Sequence, residues 1–246
     1  MCVLAFAWGA DPRRPLVLIG NRDERHDRPA EPLARWDETP HVIAGRDAEA
    51  GGTWLGVSEQ GRMAVVTNLR NPAGPDPGKA SRGQLVADLL TGGGRYADPA
   101  APDLADFNPF NLIDVRAGCA RILSNRPEPA IRPLAPGIHG MSNGPLDEPW
   151  PKVERIKAIL AGWLETGDGN AAPLLDALRA DAAPLAGPET VHLSPIFIIN
   201  PVYGTRCSTV LIVEADGIGR IAERRYDERG QGTGETAIEF SWPVEE

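Results

Sequence analysis

The residue with the clearest chemical potential in this sequence is a cysteine at the second position, Cys2. Removal of Met1, which occurs when the next residue is as small as cysteine, leaves a thiol and a free α-amine on one residue. The α-amine titrates near ~7.7 to 8.0 and an ordinary thiol near ~8.5, so a modest electrostatic contribution yields thiolate at neutral pH. The pattern predicts a nucleophile that carries its own base, whereas the alternative is a small apolar residue that packs in a strand.

A charged tetrapeptide, Asn21–Glu24, is predicted to lie beside Cys2. Residues 2–8 and 15–20 are apolar and flank a turn at Gly9–Arg14, which predicts a β-hairpin. Antiparallel strands joined by a short turn bring residues equidistant from the turn into register. An arginine and two carboxylates are therefore expected next to the start of the chain.

Further short motifs follow along the chain, namely Gly51-Gly52-Thr53-Trp54-Leu55-Gly56, Thr67-Asn68, Ser142-Asn143-Gly144-Pro145 and Tyr203-Gly204-Thr205-Arg206. With Met1-Cys2 and Asn21-Arg22-Asp23-Glu24, they resemble the NRDE family, also called the transport and Golgi organisation protein 2 family, over nearly the whole chain. That family is similar to cysteine-type N-terminal nucleophile hydrolases such as bile salt hydrolase and penicillin V acylase. The resemblance implies a four-layer αββα sandwich and hydrolysis of the C–N amide bond of a small acylated molecule.

The resemblance to bile salt hydrolases implies a role for each candidate catalytic residue. Cys2 is the expected nucleophile, and Asp23 is expected to orient its α-amine. Asn143 is the expected oxyanion donor, and Asn68 is the expected second donor. Arg206 is expected to stabilise the site electrostatically. A turn at Asn143 and a surface ion pair at Arg206 are the alternatives.

The tetrapeptide also supplies the expected substrate-binding residues Asn21, Arg22 and Glu24, and Arg22 is expected to lower the pKa of the thiol. It departs from the bile salt hydrolases, in which the acidic residue follows the arginine by three positions. Because neighbours in a strand point to opposite faces, Asp23 is expected on the side of the Cys2 nitrogen together with Asn21. Arg22 is expected to point elsewhere and to pair with Glu24, unless the strand bends or bulges.

The same resemblance leaves a second function open. Members of the NRDE family are associated with haem and acyl-lipid trafficking, which implies a non-catalytic carrier on the hydrolase scaffold. The sequence contains no CxxCH haem-attachment motif and no obviously placed axial histidine, although Cys2 could serve as a thiolate ligand. For the amidase no cofactor is expected.

The composition of the chain limits which binding partners and which cellular compartment are expected. A net charge of -9 and a pI near 5.0 argue against nucleic acid or an anionic membrane surface as partner. No basic start precedes a long apolar run, so neither a signal peptide nor a membrane span is expected, and the predicted location is cytoplasmic. Cys2, Cys119 and Cys207 form no CxxC pair, which favours a reducing compartment, and the four histidines are too scattered to predict a metal site.

Hydrophobic patterning predicts a single α+β domain over residues 1–246, with helices on sheet faces. The predicted strands cover residues 2–8, 15–20, 41–44, 53–58, 62–68, 110–116, 120–125, 131–134, 137–141, 196–199, 207–214, 219–226 and 236–240. The predicted helices cover residues 82–90, 149–164 and 171–180, the first with Ser81 as N-cap. Residues 29–40 are predicted to form a proline-punctuated loop.

Overall fold

The computed structural model of the protein describes residues 2–71, 73–116, 118–184 and 192–244. Its strands, numbered in chain order, are β1 (Cys2–Asp11), β2 (Arg14–Arg25), β3 (Ala30–Trp36), β4 (Thr39–Asp47), β5 (Leu55–Ser58), β6 (Arg62–Asn68), β7 (Phe110–Arg116), β8 (Cys119–Ser124), β9 (Ala130–Pro133), β10 (Gly137–Met141), β11 (Tyr203–Val213), β12 (Ile218–Tyr226) and β13 (Gly232–Ser241). The α-helices are α1 (Arg82–Thr91), α2 (Pro151–Thr166) and α3 (Ala172–Ala177).

The chain divides into two compact units, each built on one sheet. The first unit comprises residues 1–28 and 136–240, and the second comprises residues 29–135 and 241–246. Strand order is β10-β1-β2-β11-β12-β13 in one sheet and β3-β4-β5-β6-β7-β8-β9 in the other, and the registered strand pairs are antiparallel. Two antiparallel sheets with a few helices confirm the α+β class.

The predicted hairpin at the start of the chain is confirmed. Cys2 pairs with Arg22, and Leu4 pairs with Gly20 in the same antiparallel register. Gly20 has room for no side chain, because a Cβ there would lie 2.8 Å from the Cβ of Leu4. The close approach at Gly20 holds the two strands together immediately before the charged tetrapeptide.

Helices α2 and α3 cover one face of the first sheet. Apolar residues of α2 recur every three or four positions and pack against alternate residues of β1 and β2 in a buried cluster of Val3, Ala5, Ala7, Val17, Ile19, Ile156, Leu160, Trp163, Leu164, Leu174 and Leu175. Gly140 of β10 lets α2 approach, since a Cβ at that position would fall 2.4 Å from Cγ1 of Val153. The start of α2 is thereby fixed beside the strand that precedes Ser142.

In the second unit, α1 packs on the sheet and begins as predicted. Ser81 caps it by accepting a hydrogen bond from the backbone N–H of Gln84. The glycine-rich motif serves this packing, because a Cβ at Gly52 would lie 2.2 Å from the backbone of Gly83. A Cβ at Gly56 would likewise fall 2.7 Å from the side chain of Leu90. The motif is therefore explained by helix-to-sheet contact.

Two predicted segments differ from the structure. Part of the expected loop at residues 29–40 forms β3, which lies at the edge of its sheet, where a proline such as Pro32 is tolerated. The expected strand at residues 196–199 is absent from the described residues apart from a single bridge between Ala183 and Ile198. Within the described ranges, no helix is both long and apolar enough to cross a membrane.

Candidate functional site

The register of the hairpin places Arg22 directly opposite Cys2. Directly opposed residues of an antiparallel pair lie on the same face of the sheet, so the two side chains are neighbours. On the other side, Arg22 also pairs with Cys207 of β11. The expectation that Arg22 points away from Cys2 is therefore wrong, because the pairing partner of Cys2 is Arg22 itself.

The thiol of Cys2 is neutral in its resting state. Burial raises its pKa above the ordinary cysteine value, although part of the residue remains exposed. The N-terminal ammonium, a hydrogen bond from the backbone N–H of Asp23 and the charge of Arg22 lower the pKa, but they do not outweigh burial and the charge of Asp23. Arg22 thus lowers the thiol pKa as predicted, but the net shift is upward for the chain with Met1 in place.

Asp23 is the buried carboxylate nearest to the amino side of Cys2. Since Cys2 pairs with Arg22, Asp23 lies one residue beyond that pair, and it is 2% exposed. Burial raises the pKa of Asp23 to about 6. The N-terminal ammonium and then a hydrogen bond from Thr205 limit the rise. A carboxylate with this pKa changes protonation close to neutral pH.

The Tyr203–Arg206 motif of β11 surrounds Asp23. The Thr205 hydroxyl accepts from the backbone N–H of Ile198 at 2.9 Å and donates to Oδ1 of Asp23 at 2.7 Å. The Tyr203 hydroxyl donates to the backbone oxygen of Asp23 at 2.7 Å. Because the Ile198 N–H occupies a lone pair of the Thr205 oxygen, the hydroxyl hydrogen is directed at the carboxylate.

Arg206 occupies a bulge in β11, between the residues that pair with Asp23 and Arg22. Its Nη1 donates to the backbone oxygen of Arg25 at 2.8 Å and to that of Arg28 at 3.0 Å. These two bonds tie Arg206 to the last residue of β2 and to the segment that follows it. The sequence allowed for a bulge in the strand that carries the tetrapeptide, β2. The bulge lies instead in the neighbouring strand, β11.

Asn21 connects three elements. Its Nδ2 donates to the backbone oxygens of Leu178 and Ile196 at 3.0 and 2.9 Å, and its Oδ1 accepts from the Ser208 hydroxyl at 2.6 Å. The residue is 3% exposed. These bonds join Asn21 to the segments around it, and its role in substrate binding stays a prediction.

Asn143 reaches the site through Ser142. Leu4 pairs with Met141, so residues 142 and 143 leave β10 at the end of the sheet where Cys2 begins. The Ser142 hydroxyl donates to the backbone oxygen of Cys2 at 2.7 Å and lies 3.3 Å from Oδ1 of Asn143. Asn143 is 5% exposed. The structure therefore brings Asn143 to Cys2 from more than a hundred residues away.

Asp147 holds the Asn143 loop, residues 142–147, against β10. Its Oδ2 lies 2.8 Å from Nδ1 of His139, and its Oδ1 accepts from the backbone N–H of Gly140 at 2.7 Å and from Lys157 at 3.3 Å. Burial acts to raise the pKa of Asp147, but these three contacts hold it at about 2. Its φ of 57° is left-handed, a region that aspartate and asparagine tolerate better than most residues.

Two predicted residues have other surroundings. The Glu24 carboxylate accepts from the backbone N–H of Arg25 at 2.8 Å, in place of the expected ion pair with Arg22. Asn68 belongs to the second unit, where it ends β6 opposite Phe110. Its role as a second oxyanion donor stays a prediction.

The two other thiols are distinct from Cys2. Cys207 is buried, and burial together with Glu223 raises its pKa well above the ordinary value. Cys119 is exposed at the first position of β8.

Sequence reasoning missed one charged residue, Lys152 of α2. It is 3% exposed, and its charge acts on both Asp23 and Cys2. The signal was present in the spacing, because Lys152, Ile156 and Leu160 follow one another at intervals of four and so share the buried face of the helix. A lysine on an apolar stripe indicates a buried charge partner.

Solved structures with a similar fold include two variants of the conjugated bile acid hydrolase from Clostridium perfringens. One covers 97% of this chain and 92% of its own at 9% identity and a TM-score of 0.55, and the other has 10% identity and a TM-score of 0.53 over the same shares. At such low identity the likeness shows a shared fold.

Relatives known by sequence point to one family. The model of the family described as Transport and Golgi organisation 2 matches residues 1–228. The Transport and Golgi organization protein 2 homolog of Bos taurus is 34% identical over 91% of this chain and 92% of its own. The homolog of Homo sapiens is 31% identical over the same shares. The chain therefore belongs to the Transport and Golgi organisation 2 family.

Proposed function

We propose that this protein is an N-terminal-cysteine amidohydrolase that cleaves the C–N amide bond of a small acylated molecule. The observation that carries the proposal is the register around Cys2, which places Arg22 opposite it, Asp23 next to its amino side and Asn143 within reach through Ser142. Residues with no common task have little reason to converge on the first residue of a strand.

The raised pKa of the Cys2 thiol determines how the first step proceeds. A neutral thiol must lose its proton as it attacks, so the free α-amine of Cys2 accepts that proton while sulfur bonds to the substrate carbonyl carbon. Removal of Met1 creates that amine and brings the positive charge onto Cys2 itself. Since Coulomb attraction grows as distance falls, the processed thiol has a lower pKa than the thiol of the unprocessed chain.

The remaining steps use the same groups. Asn143, with Asn68 as the proposed second donor, stabilises the oxyanion of the tetrahedral intermediate. The ammonium of Cys2 then protonates the leaving nitrogen, the C–N bond breaks and a thioester remains. Water attacks the thioester after giving a proton to the amine, and that proton returns to sulfur as the carboxylic acid leaves. Asp23 holds the amine in position throughout.

The shared fold with bile acid hydrolase supports two further parts of the proposal. We infer that the two sheets and their helices form the four-layer αββα sandwich of that fold, and that residues 1–246 act as one functional domain. Three free cysteines support a reducing, cytoplasmic location.

The test combines intact mass with turnover. We expect the purified protein to lack one methionine, and we expect amine release from a panel of N-acyl amides. Cys2→Ala should reduce the rate by on the order of 10³-fold or more, because nucleophile removal leaves only binding effects. The matched control, Cys119→Ser, changes an exposed thiol and should keep full activity.

The alternative function has its own readout in the same experiment. A Soret shift on haem titration, or saturable binding of an acyl-lipid, without amine release from any amide would identify a non-catalytic carrier. Retention of Met1 on all molecules would contradict the self-base mechanism directly.

A further inference from the structure

Lys152 is a buried cation in an unfavourable place. It is the second residue of α2 and is 3% exposed, whereas lysine ordinarily reaches solvent. The first turn of a helix carries the positive end of the helix dipole, which repels a cation. Burial and helix position both disfavour the ammonium there, and burial lowers the pKa of Lys152 below its ordinary value in spite of the negative charge nearby.

The negative charge near Lys152 comes from the Cys2 site. The charge that most favours its protonated form is that of Asp23, and the charge of Lys152 acts in turn on the Asp23 carboxylate. Asn21 faces α3, since it donates to the C-cap residue Leu178, and strand alternation puts Asp23 on that same helix-covered face. Lys152 thus acts on Asp23 electrostatically from the helix layer.

Aromatic packing fixes the opposite side of Lys152. Its Nζ lies 5.5 Å from the centre of the Trp150 ring, and that ring is 6.2 Å from the ring of His192. Gly144 of the Asn143 loop lies against the same tryptophan, because a Cβ there would fall 2.8 Å from it. The lysine is therefore held between the loop that carries Asn143 and the carboxylate of Asp23.

We infer that Lys152 is a positioning residue of the Cys2 site, whose ammonium keeps the Asp23 carboxylate ionised so that the carboxylate can hold the α-amine of Cys2. The inference rests on the proposed function only for the role of that amine. It assigns Lys152 an electrostatic task in place of a packing task.

The ionisation of Asp23 depends on the charged groups around it. The N-terminal ammonium and Arg22 of β2 act on the carboxylate, Lys152 acts from α2, and the Thr205 hydroxyl acts from β11. Asp23 has a pKa of about 6, close to the working range, so loss of one cation changes the protonated fraction at neutral pH. On the far side, His192 is the titratable group next to the Trp150 ring.

The decisive variant is Lys152→Met, which keeps the length of the side chain and removes its charge. We expect the acid limb of kcat/KM to move up by ~0.5 to 1 pH unit. Rates near pH 6 should fall about 3- to 10-fold, and rates near pH 8.5 should stay unchanged because Asp23 is ionised there in both proteins. Lys152→Arg should restore the limb, and the melting temperature of Lys152→Met should be equal or higher.

Arg155→Met is the matched control. It removes one positive charge from the exposed face of the same helix, where Arg155 pairs with Asp181. Its acid limb should coincide with that of the wild type. An unmoved limb in Lys152→Met, or a loss of equal size at every pH, would overturn the inference, because the second result is what a purely structural role produces.

A readout without turnover separates this inference from the proposed function. Carbon-13 NMR of labelled aspartate carboxyl groups, with Asp23→Asn to assign the resonance, reports the titration of Asp23 directly. A midpoint that rises in Lys152→Met in a protein without amidase activity supports the inference and refutes the proposed function. An unchanged Asp23 midpoint in Lys152→Met, in a protein with amidase activity, refutes the inference and supports the proposed function.

Discussion

Two carboxylates of the first unit, Asp23 and Asp147, have opposite electrostatics although both are ordered by hydrogen bonds. Asp147 is bound by His139, by a backbone N–H and by Lys157, and its pKa is about 2. Asp23 is far more buried, and burial raises its pKa to about 6. The first carboxylate is held permanently charged and anchors a loop, whereas the second is kept near its titration point. Under the proposed function, Asp147 therefore serves the fold and Asp23 serves the chemistry.

The largest effect is expected for Asp23→Asn. Loss of the group that orients the amine should lower kcat/KM by about 10²- to 10³-fold. Stability should change in the opposite direction. The folded pKa of Asp23 lies above its unfolded value of 3.8, so its ionisation destabilises the native protein progressively as pH rises through about 6. Asparagine removes that penalty, and urea unfolding at pH 8 should show a gain of up to ~3 kcal/mol that vanishes near pH 4.

Asp147→Asn should move stability the other way. Asparagine tolerates the left-handed backbone at this position, so the variant removes the charge and one acceptor oxygen without straining the backbone. The folded pKa of Asp147 is depressed, so its stabilisation is present above about pH 4 and is lost as pH falls through about 2. Because the side chain is 35% exposed, we expect a loss of only about 1 kcal/mol at pH 7, with a ~3- to 10-fold loss of activity as the Asn143 loop loosens. A variant more stable than the wild type at pH 7 would contradict the comparison.

Thr205→Val tests what restrains the pKa of Asp23. The valine is isosteric but removes the hydroxyl that donates to the carboxylate and accepts from Ile198. We expect a further rise in the pKa of Asp23, an acid limb of kcat/KM shifted upward, and a loss of about 1 to 2 kcal/mol at pH 8. Thr205→Ser keeps the hydroxyl and should behave as the wild type. Equal limbs in the valine and serine variants would show that the hydroxyl does not act on Asp23.

The smallest effect is expected for Tyr203→Phe. The Tyr203 hydroxyl donates to the backbone oxygen of Asp23 and not to its carboxylate. Loss of that bond should cost about 0.5 to 1.5 kcal/mol in thermal unfolding. The acid limb of the kcat/KM profile should stay in place. A shifted limb would mean that the backbone of Asp23, and not only its side-chain partners, sets its ionisation.

Local rules determined much of the fold in advance. The turn after β1 fixed the register that brings Arg22 to Cys2, and Ser81 marked the start of α1. Edge strands were harder to predict, because β3 contains a proline and β13 begins among glycines, both of which resemble loops. Interior strands have no such ambiguity.

The candidate site was predictable only where a motif marks it. Asn143 was found from its motif, but Lys152 was missed because its helix was interpreted solely by its apolar residues. The direction of the Cys2 pKa was also missed, since burial of the thiol depends on packing that no local pattern encodes. Contacts that join residues 23, 152 and 205 need the tertiary structure.

The position of β1 between β10 and β2 has a consequence for how the protein matures. An aminopeptidase needs a loose, extended terminus, yet the carbonyl of Cys2 is bound by Ser142 once β10 has docked. That serine leaves the ribosome about 140 residues after the cysteine, so the interval for trimming closes as translation proceeds. Under the proposed mechanism, a tag fused ahead of Cys2 would lock the protein in an inert precursor, and recombinant material should carry its tag at the other terminus.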